Sequence, residues 1–404
     1  MRKPSHDSAA DRPRALFLAP EAPYPLAGGG ALRSASVLEF LARRYAVEAI
    51  VFRQPGAPNP GETIPPELVH RLSVIDLPRH ARHTLARVAR NARRLARRAP
   101  PLVDRFSGFE GEIASHLKGR YELAVVEHFW CAPYWEQIAA HCKKVVLNLH
   151  NIESAWHQRQ ARVAPQGSAL AYSVFEQASL ALERRWLPRF ALLLTTSEED
   201  ARRVRLIAPA TRVEVYPNAI PWIEPQRRAE EEVIAFSGTF DYDPNRSAVR
   251  HFRRHIWPLL RERWPKLRWR LVGRNPEAVK RYVQTDPRIE CTGAVDNAVE
   301  QLAAAKVVVV PILAGSGTRL KIVEAWAAGR AVVSTAAGAE GLPAVSGQHI
   351  MIEDDAEKFA EAVSRLLASP LLRNRLGVAG RALYEKEFTW QAAWDRLAVV
   401  LNTL

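Results

Sequence analysis

Short apolar runs alternate with segments of helical period almost throughout this chain. In the first half the runs cover residues 15–19, 47–52, 72–77, 123–127, 145–149 and 192–196. A proline-rich, charged stretch at 217–232 interrupts the pattern. It then resumes at 233–237, 269–272, 289–292, 307–312 and 331–335. Continuous apolar strands separated by amphipathic helices predict parallel sheets covered on both faces. Two such series predict an α/β chain of two doubly wound domains joined near 221–232. Residues 371–404 read as helix carrying Phe388, Trp390 and Trp394. The expected boundaries are therefore 1–222, 223–385 and a C-terminal helix at 386–404. Ligands of such folds bind at the carboxyl ends of the strands, so the loops that follow the runs are where chemistry belongs.

Length and composition agree with this picture. A chain of 404 residues is long for one domain, and its 48% hydrophobic and 25% charged content is that of a soluble globular protein. No apolar run approaches the roughly 20 residues of a membrane span, and the first one is too short for a secretory signal. Cys131, Cys142 and Cys291 cannot all pair and lack metal-ligand spacing, which suits a reducing, cytoplasmic setting. The formal charge of +14 is unusual, but the chain is rich in Arg and Ala throughout, so where the charge concentrates matters more than its total.

Two kinds of loop can hold an anionic ligand. The first strand leads through Gly28, Gly29 and Gly30 into a helix carrying Arg33, so the backbone is free to approach a ligand at a helix N-terminus. The spacing is not that of a dinucleotide fingerprint, and Arg53 stands where the acidic ribose-binding residue of such sites belongs. The second loop is richer. A buried run leads into Gly315, Ser316, Gly317 and Thr318, with Arg319, Lys321 and Glu324 following. Backbone amides there suit a diphosphate, with Thr318 either joining them or capping the helix. Arg319 and Lys321 add cations, Arg319 from the first turn or from a loop. Lys321 and Glu324 share a helix face, which allows the carboxylate to accept from ribose hydroxyls. The next loop, Gly338 to Leu342, offers Glu340 as a ligand contact or a solvated residue. A departing nucleoside diphosphate needs this kind of charge stabilisation.

The string from Gly317 through Lys321 and Glu324 to Gly329, with Gly338 and Glu340-Gly341-Leu342, resembles the donor-site signature of glycosyltransferase family 4. Phe236-Ser237-Gly238-Thr239-Phe240 before Pro244-Asn245 is similar to the first strand and loop of that family's donor domain. Tyr216-Pro217-Asn218, His150-Asn151-Ile152-Glu153 and Thr196-Ser197-Glu198 agree with it as well. The resemblance implies a GT-B fold, two Rossmann-like domains facing each other across a cleft, with the C-terminal helix crossing back to the first. It implies transfer of a sugar from a nucleoside-diphosphate sugar to a glycan or lipid-linked acceptor, with retention of configuration. The donor contacts would be Gly238, Gly315 to Thr318, Glu324 and Glu340. Arg319 and Lys321 would stabilise the leaving group. His150 would contact the sugar or acceptor hydroxyl, or serve as a buried or capping histidine. Gly29, Gly30 and Arg33 would face the acceptor. The family commonly has two glutamates separated by seven residues; here the first position is Ser316.

No cofactor or metal is expected. Asp241-Tyr242-Asp243 has D-x-D form, yet it precedes Pro244 and a helix, so Asp243 reads as a turn or capping residue. Between Arg79 and Arg98 stand eight arginines and no acidic residue, with Leu85, Val88, Ala92 and Leu95 at helical spacing. Such a helix suits an anionic membrane surface, placing the protein at the inner face of the membrane, or else a solvated helix packed on the domain. No aromatic interleaving accompanies the arginines, so nucleic acid is not the expected partner. A nucleotide-sugar epimerase and a non-catalytic sugar-nucleotide or polyanion binder are the competing classes.

Overall fold

The structure, a computed structural model, describes residues 12–404 except Ala27, Arg82, residues 164–165, Arg227 and residues 315–319. It divides into two compact units. One runs to Tyr216 and includes Leu397–Leu404; the other is Pro217–Arg396.

The first unit holds a parallel sheet of β1 (Arg14–Ala19), β2 (Ala46–Arg53), β3 (Arg71–Asp76), β4 (Tyr121–Glu127), β5 (Cys142–Asn148), β6 (Leu192–Thr195) and β7 (Val213–Val215). Their order is β3-β2-β1-β4-β5-β6-β7. The strands sit between helical layers, which is why β1, β2 and β4 are buried almost end to end and read as unbroken apolar runs. Beneath β2, Phe52 meets Phe106 and Phe109 edge-on at 5.4 and 5.3 Å. The strand order reverses between β1 and β4, and the carboxyl ends of the strands at such a reversal are where ligands of these sheets bind.

The second unit holds β8 (Glu231–Ser237), β9 (Arg268–Val272), β10 (Ile289–Cys291), β11 (Ala305–Val310), β12 (Ala331–Ser334) and β13 (Met351–Ile352), in the order β10-β9-β8-β11-β12-β13. Its reversal falls between β8 and β11. Trp257, Trp269 and Trp326 are fully buried, and the Trp326 indole donates to the His349 carbonyl at 3.1 Å. The helix Pro370–Glu387 packs so closely on Trp326 that a Cβ at Gly380 would lie 2.2 Å from its ring.

The expected strands match within a few residues, and two more exist, β7 and β13. The single C-terminal helix is a correction. Pro370–Glu387 and Trp390–Asn402 are separate helices, because Phe388 and Thr389 leave the helical path to pair with Ile220. Ile220 donates to the Phe388 carbonyl and accepts from the Trp390 amide, both at 3.0 Å. The final residues group with the first unit, where Arg212 donates to the Thr403 hydroxyl at 2.9 Å. The arginine-rich segment forms the helix Thr84–Ala96, none of whose residues is buried. Leu85 and Val88 of its apolar stripe are 79% and 58% exposed. No helix among the described residues is long and apolar enough to cross a membrane.

Candidate functional site

In each unit the predicted residues that the structure describes gather at the carboxyl ends of strands at or next to the reversal. In the second unit, β8 ends at Ser237 and continues into Gly238. Here two backbones nearly touch. Gly273, after β9, has φ +137°, and a Cβ on it would lie 2.0 Å from the Gly238 carbonyl oxygen, so neither side chain nor ordinary backbone fits. A Cβ on Gly238 would itself sit 2.8 Å from the Asn245 amide and 3.2 Å from the Lys321 ammonium. Lys321 and Glu324 project from one face of the helix Leu320–Ala327, which follows β11. The Lys321 ammonium lies 5.9 Å from the centre of the Phe236 ring, and Glu324 accepts from the Ser237 hydroxyl at 2.9 Å. Burial pushes the Glu324 carboxyl up from its ordinary value, against the opposing pull of Lys321 and Ser237. The helix face therefore presents a cation and a carboxylate side by side over the end of β8.

Gly315, Ser316, Gly317, Thr318 and Arg319 lie outside the described residues. Glu340 stands half-buried in the turn after the short helix Ala336–Ala339, which Thr335 caps by accepting from the Gly338 amide at 2.9 Å. A Cβ on Gly338 would come within 2.8 Å of the Val310 carbonyl, so this loop is pressed onto the end of β11. Asp243 opens the helix Asp243–His251 and pairs with Arg246 at 2.5 Å. Among the described residues no group of three or more His, Cys, Asp or Glu side chains could hold a metal ion. A cavity of about 420 Å³ in this unit lies elsewhere, at the amino-terminal edge of the sheet. Its arginines are tied into the fold: Arg330 and Arg373 share Glu230, while Arg381 donates to the carbonyls of Ala327 and Ile223.

In the first unit the centre is a carboxylate that the sequence did not single out. Glu127 ends β4 and is fully buried. It accepts from Ser34 at 2.8 Å, from the Asn148 amide at 3.0 and 3.1 Å, and meets Nε2 of His150 at 2.7 Å. The helix Gly29–Ala42 starts beside it, and a Cβ on Gly30 would lie 3.8 Å from Nδ1 of His150. Gly29 and Gly30 are half-buried at that helix start. Arg33, expected to face an acceptor, is instead 1% exposed. It donates to Asn148 Oδ1 at 2.9 and 2.6 Å and to the carbonyls of Tyr216 and Thr195. Burial pushes the Arg33 pKa down to about 10. Its guanidinium thus ties β5, β6 and the end of the unit together, and Asn148 links it to Glu127.

A ring stack leads away from His150. His128, at φ +61°, stacks on it with centroids 3.5 Å apart, Trp130 follows at 4.3 Å, and Phe106 lies 5.7 Å beyond. Burial holds both histidines well below their ordinary pKa, which favours the neutral rings. The Trp130 indole donates to Glu153 at 2.9 Å. Burial, with Glu183 adding like charge, pushes Glu153 up to about 7; burial alone pushes Glu183 up to about 7. The signal for this cluster in the sequence was weak: one acidic residue and one histidine directly after a run of apolar residues.

Comparison with known proteins bears on the second unit most. Residues 231–369 match the family model described as glycosyl transferases group 1. This stretch of the second unit is therefore similar to a group 1 glycosyltransferase domain. It contains Ser237, Gly238, Lys321, Glu324 and Glu340. A mannosyltransferase of Corynebacterium glutamicum, described as GDP-mannose-dependent and acting on monoacylated alpha-(1-6)-phosphatidylinositol monomannoside, is 29% identical over 112 residues. That match covers 26% of this chain and 29% of the relative, so most of the relative's length is not spanned. Over nearly the whole chain, the sucrose-phosphate synthase of Thermosynechococcus elongatus has a TM-score of 0.69 at 18% identity, covering 96% of this chain and 98% of that one. HepE of Anabaena, solved with UDP and glucose, has a TM-score of 0.65 at 14% identity, covering 97% and 100%. At such identities the likeness is one of fold, and the fold is GT-B.

Proposed function

We propose that the protein is a glycosyltransferase that moves a sugar from a nucleoside-diphosphate sugar to a glycan or lipid-linked acceptor with retention of configuration. The observation that carries this reading is the Lys321–Glu324 face over Ser237 and Gly238, inside the stretch similar to a group 1 domain. Lys321 neutralises charge developing on the departing diphosphate, and Glu324 accepts from the ribose hydroxyls. Gly315 to Thr318 and Arg319 complete the diphosphate site, with Glu340 on the neighbouring loop. In the first unit the acceptor approaches the start of the helix Gly29–Ala42, where His150 meets a sugar hydroxyl. No side chain is assigned as an enzymic nucleophile, and no metal takes part. The donor class is supported by the UDP-glucose complex of HepE and by the GDP-mannose dependence of the corynebacterial relative. That relative's phosphatidylinositol-linked acceptor favours a lipid-linked one here.

The exposed basic helix Thr84–Ala96 fits the same reading. Its arginines and its uncovered Leu85 and Val88 suit shallow, reversible binding to an anionic membrane surface, where a lipid-linked acceptor resides. The test is product analysis with a panel of UDP-, GDP-, ADP- and dTDP-sugars, with and without membrane-extracted acceptors. Transfer or slow hydrolysis of one donor is the expected result. Epimerised nucleotide sugar without release of the nucleoside diphosphate would replace the reading with an epimerase.

A further inference from the structure

The cluster around Glu127 is built more tightly than a histidine that merely touches a sugar requires. Arg33 donates twice to Asn148 Oδ1, which fixes the orientation of that side-chain amide. Its NH₂ group must then face Glu127, so Glu127 accepts from it at both oxygens. Ser34 donates to the same Oε2 that meets His150. Donation from Asn148 and Ser34 stabilises the ionised carboxylate, which places the proton shared across the contact with His150 on the nitrogen. With the Arg33 cation close by, Glu127 stands as a carboxylate despite the burial that pushes its pKa up. His150 is neutral and must supply the remaining N–H from Nε2. Nδ1 is then a lone pair, and it faces the first turn of the helix Gly29–Ala42, beside Gly30. The positive end of that helix disfavours a proton on Nδ1. The His128 ring, stacked at 3.5 Å, holds the imidazole plane.

We propose that Glu127 is the positioning residue of this site: it fixes His150 as the Nε2–H tautomer, so that Nδ1 accepts the hydrogen bond of a sugar hydroxyl at the start of the helix Gly29–Ala42. The inference rests on the assignment of His150 to the sugar made above. It adds that the histidine serves as an acceptor, and that its direction is set by a carboxylate which touches no substrate. Glu127, Ser34, Asn148 and Arg33 come from three separate segments of the chain and converge on one imidazole nitrogen.

Nitrogen NMR of protein labelled at histidine reads the tautomer directly, without any activity. His150 of the unaltered protein should show its proton on Nε2; a proton on Nδ1 overturns the proposal, whatever the enzyme does. Glu127→Gln offers an amide that can donate to Nε2, and should move the proton to Nδ1. It should also lower kcat about ten- to hundredfold, as loss of a supporting hydrogen-bond partner does, with the donor KM changed less. Glu127→Asp keeps a carboxylate, and should keep the Nε2 proton and recover much of the rate. Equal losses in both variants, with the tautomer unmoved, mark Glu127 as merely structural and overturn the proposal. If Glu127→Gln does not fold, the tautomer of the unaltered protein still decides. Full activity in His150→Ala is a separate result. It refutes the assignment of the histidine to the sugar and leaves the tautomer measurement standing.

Discussion

Replacing Glu153 by Gln should stabilise the first unit above neutral pH and do little at pH 5. The side chain is buried, and its carboxyl is pushed up to about 7 from an ordinary 4.5. An acid whose folded pKa is raised holds its proton longer in the folded than in the unfolded chain. Between the two values the folded state therefore binds more protons, and stability falls as pH rises from about 4.5 to about 7. At about 1.36 kcal/mol per pH unit the full effect is roughly 3 kcal/mol, of which about 2–3 kcal/mol falls between pH 5 and 8. Gln removes the ionisation while its carbonyl can still accept from the Trp130 indole, so the hydrogen bond at 2.9 Å is retained. His128, His150 and His157 are depressed by burial and work in the opposite direction, since the unfolded chain binds their protons first. For that reason the informative quantity is the difference between variant and unaltered protein, in which the histidines cancel. Urea unfolding at pH 5, 6, 7 and 8, read by hydrogen exchange at amides of β1, β4 and β5, isolates this unit. The variant should draw ahead by about 2–3 kcal/mol across that range, or roughly 5–10 °C in Tm at pH 8. A difference that stays flat with pH refutes the reasoning, because Glu153 would then titrate at its ordinary value.

Two further outcomes are expected. Chelation with EDTA should leave transfer largely intact, since the leaving group is neutralised by side chains; strict dependence on added manganese would restore Asp241 and Asp243 as ligands. Replacing Arg87, Arg90, Arg93 and Arg97 with Gln should lower sedimentation with phosphatidylserine vesicles at least about tenfold, at about 1 kcal/mol per arginine, with donor hydrolysis unchanged. Arg94 is spared because it pairs with Asp104 at 2.7 Å. Absence of vesicle binding by the unaltered protein at low salt refutes the surface role.

The strands were legible because parallel strands covered on both faces are continuous apolar runs, and nothing else in this chain produces six or so of them per half. β7 and β13 escaped for a physical reason. Three residues and two residues are held by pairing with β6 and β12, and carry no periodicity of their own. The break at Phe388 and Thr389 was equally invisible, since no proline or glycine marks it; a bridge to Ile220 makes it. On the donor side Lys321 and Glu324 could be read together because they lie one helical turn apart. Ser237, which donates to Glu324 across 87 residues of sequence, could not. The Glu127 cluster shows the same limit more fully. Ser34, Glu127, Asn148 and His150 are joined only by the order of β1, β4 and β5. Arg33 looked like a ligand contact because its burial depends on Tyr216, far along the chain.

The donor site is tested most directly by steady-state turnover of the nucleotide sugar that the unaltered protein accepts, measured beside Lys321→Ala. The account predicts release of the nucleoside diphosphate by the unaltered protein and a loss of about ten- to thousandfold in kcat/KM in the variant, with its thermal unfolding unchanged. Turnover in Lys321→Ala equal to that of the unaltered protein would contradict it.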